Sequence, residues 1–243
     1  MVIKKRFKIK DKVIIITGGA GYLGSQYAIG LSQEGANIVL ADTNFKECKK
    51  TALLLKKTYD VTPLAVKLDI TDPKSVRNMV IQVQKKYSKI DGLVNNAVNQ
   101  GDPKIRTTPF EKLPLKNWQD AVDVNLTGVF LCCQQVGKVM VKQKNGVIVN
   151  ISSTYGLIAP DQRIYGDSGQ NSAVFYAATK SGVLNLTRYL ASYWQKKGIR
   201  VNTLTLGGVE KNQGRKFIHE YSKKTMLGRM ARKDQYVDSL IFL

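Results

Sequence analysis

The feature that most constrains this chain is an alternation of short, nearly continuous apolar runs with longer stretches of helical spacing. The runs at 13–17, 37–42, 62–68, 92–95, 146–151 and 199–205 have strand length and little polar alternation, as strands covered on both faces should. Between them, 22–34, 45–57, 73–87, 117–142 and 172–196 read as helices, with Asp72 placed to cap the third. Parallel strands joined by helices require right-handed crossovers. The pattern therefore predicts an α/β fold with a doubly wound, six-stranded parallel sheet and ligands at the carboxyl ends of its strands. No composition break, repeat or low-complexity linker divides the 243 residues, so one unit over 1–243 is expected.

Composition narrows the function classes. No apolar run approaches the ~18 residues of a membrane span, and the basic start MVIKKRFKIK lacks a signal-peptide apolar region. A soluble, cytoplasmic protein without a membrane partner is the expectation. Three cysteines, Cys48, Cys132 and Cys133, make no disulfide framework; a single His219 and no CxxC leave a metal almost without ligands. The net charge of +20 raises a nucleic-acid partner. The basic residues, however, spread along the chain, with one modest cluster at Lys4, Lys5, Arg6, Lys8 and Lys10 and no interleaved aromatic platform. No nucleic-acid partner is expected.

Two features mark a nucleotide site. The first strand runs into Thr17-Gly18-Gly19-Ala20-Gly21-Tyr22-Leu23-Gly24, which contains GxGxxG at the first strand–helix junction. Glycines there let backbone amides approach a pyrophosphate at the positive end of a helix. Asp42 ends the second strand, where a carboxylate accepts from a ribose diol and repels a 2′-phosphate, favouring NAD over NADP; capping the next helix is its structural alternative. Asp69, with Ile70 beside it, follows the third strand and either meets an adenine or caps a turn.

Proton chemistry is suggested further along. Tyr176 and Lys180 stand at i and i+4 on one helical face, where a cation lowers a phenol's pKa and suits it to exchange a proton with an alcohol or carbonyl oxygen. Ser152 and Ser153 end the fifth strand, where a hydroxyl could polarise the same oxygen or cap a helix.

In this order, TGGAGYLG, Asp42, Asp69, Asn95-Asn96-Ala97, Asn125, Ile151-Ser152-Ser153 and the Tyr176/Lys180 pair resemble the short-chain dehydrogenases/reductases over nearly the whole chain. The resemblance implies a Rossmann-type fold and hydride transfer between a nicotinamide and a hydroxyl or carbonyl carbon. It makes Tyr176 the general acid/base, Lys180 its activator and a holder of the nicotinamide ribose, Ser153 the group that orients the substrate oxygen, and Asn125 a support for the proton-relay water. It places Gly18, Gly21, Tyr22, Leu23 and Gly24 at the pyrophosphate, Asn96 and Ala97 at the adenosine ribose, and Gly208 and Val209 at the carboxamide. It also implies a homodimer or homotetramer through helices 117–142 and 172–196, with Trp118 and Trp194 as interface anchors or core residues.

Four departures refine these expectations. Tyr22 stands where single-domain members place a glycine, and Val98 follows Asn-Asn-Ala where glycine is common, narrowing the nicotinamide end. Ser153 and Tyr176 are separated more widely than usual by a segment near 160–171 containing Arg163, Tyr165 and Asp167, similar to insertions in relatives from surface-polysaccharide and flagellin-glycosylation gene sets. That loop is expected to be a substrate wall, with Tyr155 and Arg163 as contacts and Arg163 meeting an anion or remaining a solvated charge. Leu206 replaces a proline after the sixth strand, predicting a looser loop, and 210–224 resembles a mobile substrate-covering helix.

The expected function is an NAD-dependent oxidoreductase acting on a polar, carbohydrate-like small molecule. The alternatives are a 3-oxoacyl-carrier-protein reductase and a non-catalytic cofactor- or nucleic-acid-binding scaffold. The family normally continues into a seventh strand, whereas this chain stops at Leu243; an exposed sheet edge, a bare apolar helix end and impaired activity are the expectations.

Overall fold

The structure, a computed structural model, describes residues 8–243; Lys4, Lys5 and Arg6 of the basic cluster lie outside them. The strands are β1 (Val13–Thr17), β2 (Asn37–Asp42), β3 (Leu64–Lys67), β4 (Gly92–Asn95), β5 (Gly146–Ser153) and β6 (Ile199–Leu206). They form one parallel sheet in the order β3-β2-β1-β4-β5-β6. Order reverses between β1 and β4, opening a crevice at their carboxyl ends.

The helices are α1 (Tyr22–Gln33), α2 (Phe45–Thr58), α3 (Pro73–Tyr87), α4 (Leu115–Val122), α5 (Gly128–Gln143), α6 (Val174–Tyr193), α7 (Arg215–Lys223) and α8 (Val237–Phe242). Successive side chains of a strand face opposite ways, and β1 shows the result. Val13 and Ile15 join a core under α3, α5 and α6, whereas Ile14 and Ile16 join a second core under α1, α2 and α8. Asp72 caps α3 by accepting from the amides of Lys74 (2.8 Å) and Ser75 (3.2 Å).

Several boundaries differ from the sequence expectation for identifiable reasons. The 117–142 helix is two helices joined by a π-turn, Asp123–Thr127. Taken together, Leu115–Gln143 is long and apolar enough on average to cross a membrane, although polar residues interrupt it; half of its most apolar 18-residue window is buried, the position of a core helix. β5 extends to Ser153 because it pairs with β6 up to the Ser153–Leu206 step. A proline at 206 would lack the amide that leucine brings to the end of this strand.

One further expectation is corrected. The apolar end of the chain is not bare: Leu240 is buried, and Val237, Ile241 and Leu243 pack on the second core, with Val237 against Gly30 of α1. β6 does form a sheet edge, pairing only with β5 among the described residues. Of the two roles open to the tryptophans, Trp194 takes the core one, lying over Gly137, and Trp118 is partly buried in a small cluster with Ala121 and Phe175.

Candidate active site

A cleft of about 800 Å³ runs across the carboxyl ends of the strands. At one end lies the glycine turn. Gly18 adopts φ +65, and a Cβ there would press on the backbone of Ala97; a Cβ on Gly24 would run into the Gly18 carbonyl oxygen. No side chain caps α1 at Gly21, so its first amides face the cleft unobstructed. This cradle fits the pyrophosphate of a dinucleotide, because only glycine permits the approach and the helix end supplies positive charge.

Asp42 and Asp69 both line the cleft, and both also brace the chain. Asp42 accepts from the amide of Ala20 (3.1 Å) within the glycine turn and from that of Asn44 (2.9 Å). The cap of α2 is Asn44 rather than Asp42. Asp69 accepts from the Thr71 amide (2.9 Å) and hydroxyl (2.7 Å), forming a turn beside Ile70. Asn96 lines the cleft, but its amide nitrogen donates to the carbonyls of Thr17 and Gly18, both at 3.1 Å. Its side-chain nitrogen thus holds the glycine turn. Ala97 and Val98 continue the wall, and Asn95 is buried beneath it, donating to Asn150 at 2.8 Å.

Tyr22 uses the space that a glycine would leave. Its hydroxyl donates to the Glu210 carbonyl at 3.0 Å, and Lys211 stands 5.1 Å over its ring. The first and last βα junctions are therefore bridged across the cleft mouth. Leu23 lines the cleft beside it.

At the other end, Ser153, Tyr155 and Tyr176 converge. The Ser152 hydroxyl donates to the Lys180 carbonyl at 3.0 Å, pinning α6 to β5. The Ser153 hydroxyl accepts from the Tyr155 amide at 3.2 Å and hydrogen-bonds Tyr176. Burial pushes the Tyr176 phenol above its ordinary value, against the opposing pull of Ser153 and of the Arg106 charge. This corrects the expectation of a phenol depressed by Lys180. The Lys180 ammonium donates to the Ile151 carbonyl at 2.7 Å and lies over the Tyr176 ring, 5.8 Å from its centre. Burial lowers the Lys180 pKa to about 8. The Tyr155 phenol is likewise raised, chiefly by burial.

Asn125 sits in the π-turn, and its side chain is engaged with the loop after β4. It accepts from the Asn99 amide (2.7 Å) and donates to the Asn99 carbonyl (2.9 Å). A helix widened to i→i+5 bonding is a common device near functional sites. Here it turns Asn125 toward that loop.

The 160–171 segment does form a wall, but not through Arg163. Both forks of that guanidinium pair with Asp161 at 2.8 Å, and the side chain points to solvent away from the cleft. Tyr165 lines the cleft instead and packs on Phe217 of α7 with ring centres 5.2 Å apart. Lys216 reaches Asp167 at 3.0 Å and Lys224 reaches Asp161 at 3.1 Å, tying loop to helix. The loop after β6, expected to be loose, is tethered: the Gly207 amide donates to the Tyr236 hydroxyl (3.0 Å) and the Gly208 amide to that of Tyr221 (2.6 Å). Gly208 and Val209 line the cleft, and the Gly208 carbonyl accepts from the Ala231 amide.

Arg106, Asn171 and Tyr221 also line the cleft and were not singled out from the sequence. Arg106 and Asn171 stand in connecting segments and Tyr221 in α7, and only the tertiary structure brings the three together. Among the described residues, no group of three metal-ligating side chains exists.

The family model described as short chain dehydrogenase matches residues 12–221, and the chain belongs to this family, the short-chain dehydrogenases/reductases. It is an NAD(P)-dependent oxidoreductase, as its relatives are. It is similar to a 3-oxoacyl-[acyl-carrier-protein] reductase of Thermotoga maritima, 32% identical over 97% of this chain and 91% of that protein. It is 29% identical to post-translational flagellin modification protein A of Campylobacter coli, covering 97% and 91% of the two chains. A D-threitol dehydrogenase of Mycolicibacterium smegmatis is 31% identical, covering 98% and 87%.

Proposed function

We propose that this protein interconverts an alcohol and a ketone on a small, hydroxyl-rich substrate, with Tyr176 as the proton donor and acceptor and NAD as the preferred cofactor. The observation that carries this reading is the meeting of Ser153 and Tyr176 at one end of a cleft whose other end is a glycine cradle. When bound, the nicotinamide supplies the hydride, and the chain's own residues manage position and protons. The amides following Gly21 and the bare backbone of Gly18 would hold the pyrophosphate. Asp42 would accept from the adenosine ribose, and Gly208–Val209 would face the carboxamide.

In the reducing direction, Ser153 holds the substrate carbonyl oxygen by donating its hydroxyl proton. Tyr176, kept protonated by burial, transfers its phenolic proton to that oxygen as the carbon is reduced. In the oxidising direction the phenolate form must take the hydroxyl proton. Lys180 acts on this step from behind by holding α6 against β5 through its bond to the Ile151 carbonyl. Asn125 fixes the Asn99 segment of the wall. The wall carries amides and hydroxyls such as Gln100, Asn171, Ser172 and Gln213, which suits a polyol-like substrate better than an acyl chain. The relative that acts as a carrier-protein reductase, together with the +20 charge suited to an acidic carrier, supports the second reading.

Exposed Phe130 on α5, with Tyr189 and Tyr193 stacked 5.8 Å apart on α6, supports assembly of copies through these helices. Fluorescence titration with NADH and NADPH, followed by nicotinamide-absorbance assays on tetritols, pentitols and 3-oxoacyl thioesters, tests the proposal. Tighter NADPH binding, or turnover confined to the thioesters, would overturn it.

A further inference from the structure

The four charged residues lining the cleft are unevenly placed. Asp42 and Asp69 lie at the ends of β2 and β3, and Lys211 lies over Tyr22 beside the glycine turn. Arg106 stands alone at the substrate end. It is partly buried and has no carboxylate partner among the described residues. Its Nη2 donates to Gln100 Oε1 at 3.3 Å, a long bond to a neutral amide. Arg163, in contrast, has its fork filled by Asp161. The Arg106 carbonyl accepts from the Asn171 amide at 2.6 Å, which fixes this residue between the loop after β4 and the end of the 160–171 wall. Its charge is close enough to oppose the rise that burial imposes on the phenols of both Tyr165 and Tyr176.

We propose that Arg106 receives a carboxylate of the substrate, so that this enzyme acts on small hydroxylated carboxylic acids and their keto forms in preference to neutral polyols. The inference rests on the functional reading above. A guanidinium presents parallel donors matched to a carboxylate, and leaving a half-buried one with a single neutral acceptor forgoes most of that capacity. One positive charge balances one carboxylate. A phosphate dianion would bring a second negative charge into a cleft that already holds Asp42 and Asp69, with no further cation lining the substrate end among the described residues.

The test uses a ladder of matched probes from three to six carbons: glycerate, threonate and gluconate against glycerol, threitol and glucitol. Turnover is measured with NAD, and binding to the enzyme–NADH complex is measured by fluorescence. Wild type is expected to favour at least one carboxylate over its neutral partner by on the order of 10- to 100-fold in kcat/KM or affinity. Arg106→Gln should erase that ratio through KM, and Arg106→Lys should retain part of it, with NADH affinity unchanged in both. Equal or better use of the neutral partners by wild type overturns the proposal. So does a ratio that survives Arg106→Gln, or an NADH complex that binds none of the carboxylates. Failure to bind NADH or NADPH at all would instead defeat the parent reading, and the proposal with it.

Discussion

The ammonium of Lys180 donates to the carbonyl oxygen of Ile151 at 2.7 Å, while the carbonyl of Lys180 itself accepts from the hydroxyl of Ser152, the next residue of β5. The two bonds lock α6 onto β5 immediately behind Tyr176. They also hold a cation where burial disfavours charge.

That burial has a pH signature. The folded pKa of Lys180, about 8, lies below the ordinary 10.5. Below pH 8 the lysine is charged in both folded and unfolded chains, and the cost of burying it is fully present. Above pH 8 the native protein sheds the proton first, so this group's contribution to stability rises with pH until about 10.5. Urea unfolding of wild type and Lys180→Met should show their difference moving in favour of wild type by on the order of 3 kcal/mol between pH 7.5 and 10.5. A pH-independent difference would contradict the buried charge.

Tyr176→Phe removes the proton donor and leaves the glycine cradle untouched. Turnover should fall by at least ~100-fold with NADH affinity preserved. In wild type, a phenol raised by burial stays protonated through neutral pH. Alcohol oxidation should therefore accelerate into the alkaline range, while ketone reduction holds steady at neutral pH and declines only as the phenol ionises. Initial rates in both directions across pH 6–11 (about five units) check the sign.

Gly24→Ala places a methyl group against the Gly18 carbonyl oxygen. The turn must move, at a cost of about 1–3 kcal/mol typical of overpacking. Nucleotide affinity is expected to fall by ~10-fold or more in a fluorescence titration, with a lower Tm.

Tyr22→Phe keeps the ring under Lys211 but deletes the hydroxyl that reaches Glu210. Because the bond is exposed, stability should change by less than ~1 kcal/mol. Stopped-flow release of NADH is expected to speed up several-fold, and an unchanged release rate would refute a bridge over the cleft mouth.

Replacing Tyr189 and Tyr193 together with glutamate puts two charges on the exposed stacked pair of α6. Light scattering should report a smaller assembly than wild type, with the fold preserved by circular dichroism.

The sheet and its helices were legible because burial on both faces leaves a crude trace, an uninterrupted apolar run, that survives in β1, β2 and β4 without any knowledge of neighbours. The glycine turn was legible for a similar reason, since only its residue types permit the approach at Gly18 and Gly24. Direction of side chains was not. Arg163 looked like an anion ligand until Asp161, two residues earlier, proved to fill its fork. Lys180 lies over the Tyr176 ring as their spacing suggested, but its bond to the Ile151 carbonyl left no trace in the sequence. Arg106 left no local signal, because what sets it apart is that no carboxylate among the described residues pairs with it. The π-turn at Asn125 was equally silent: a one-residue widening hardly alters the apolar spacing of the helices beside it.

The wall segment and α7 are far apart in sequence yet joined by Tyr165 on Phe217 and by Asp167 and Asp161 on Lys216 and Lys224. Neither piece can be exchanged alone without stranding an aromatic ring and two charges on the other. Any reshaping of this side of the cleft, by descent or by an engineer, thus has to carry the two segments as a matched cassette.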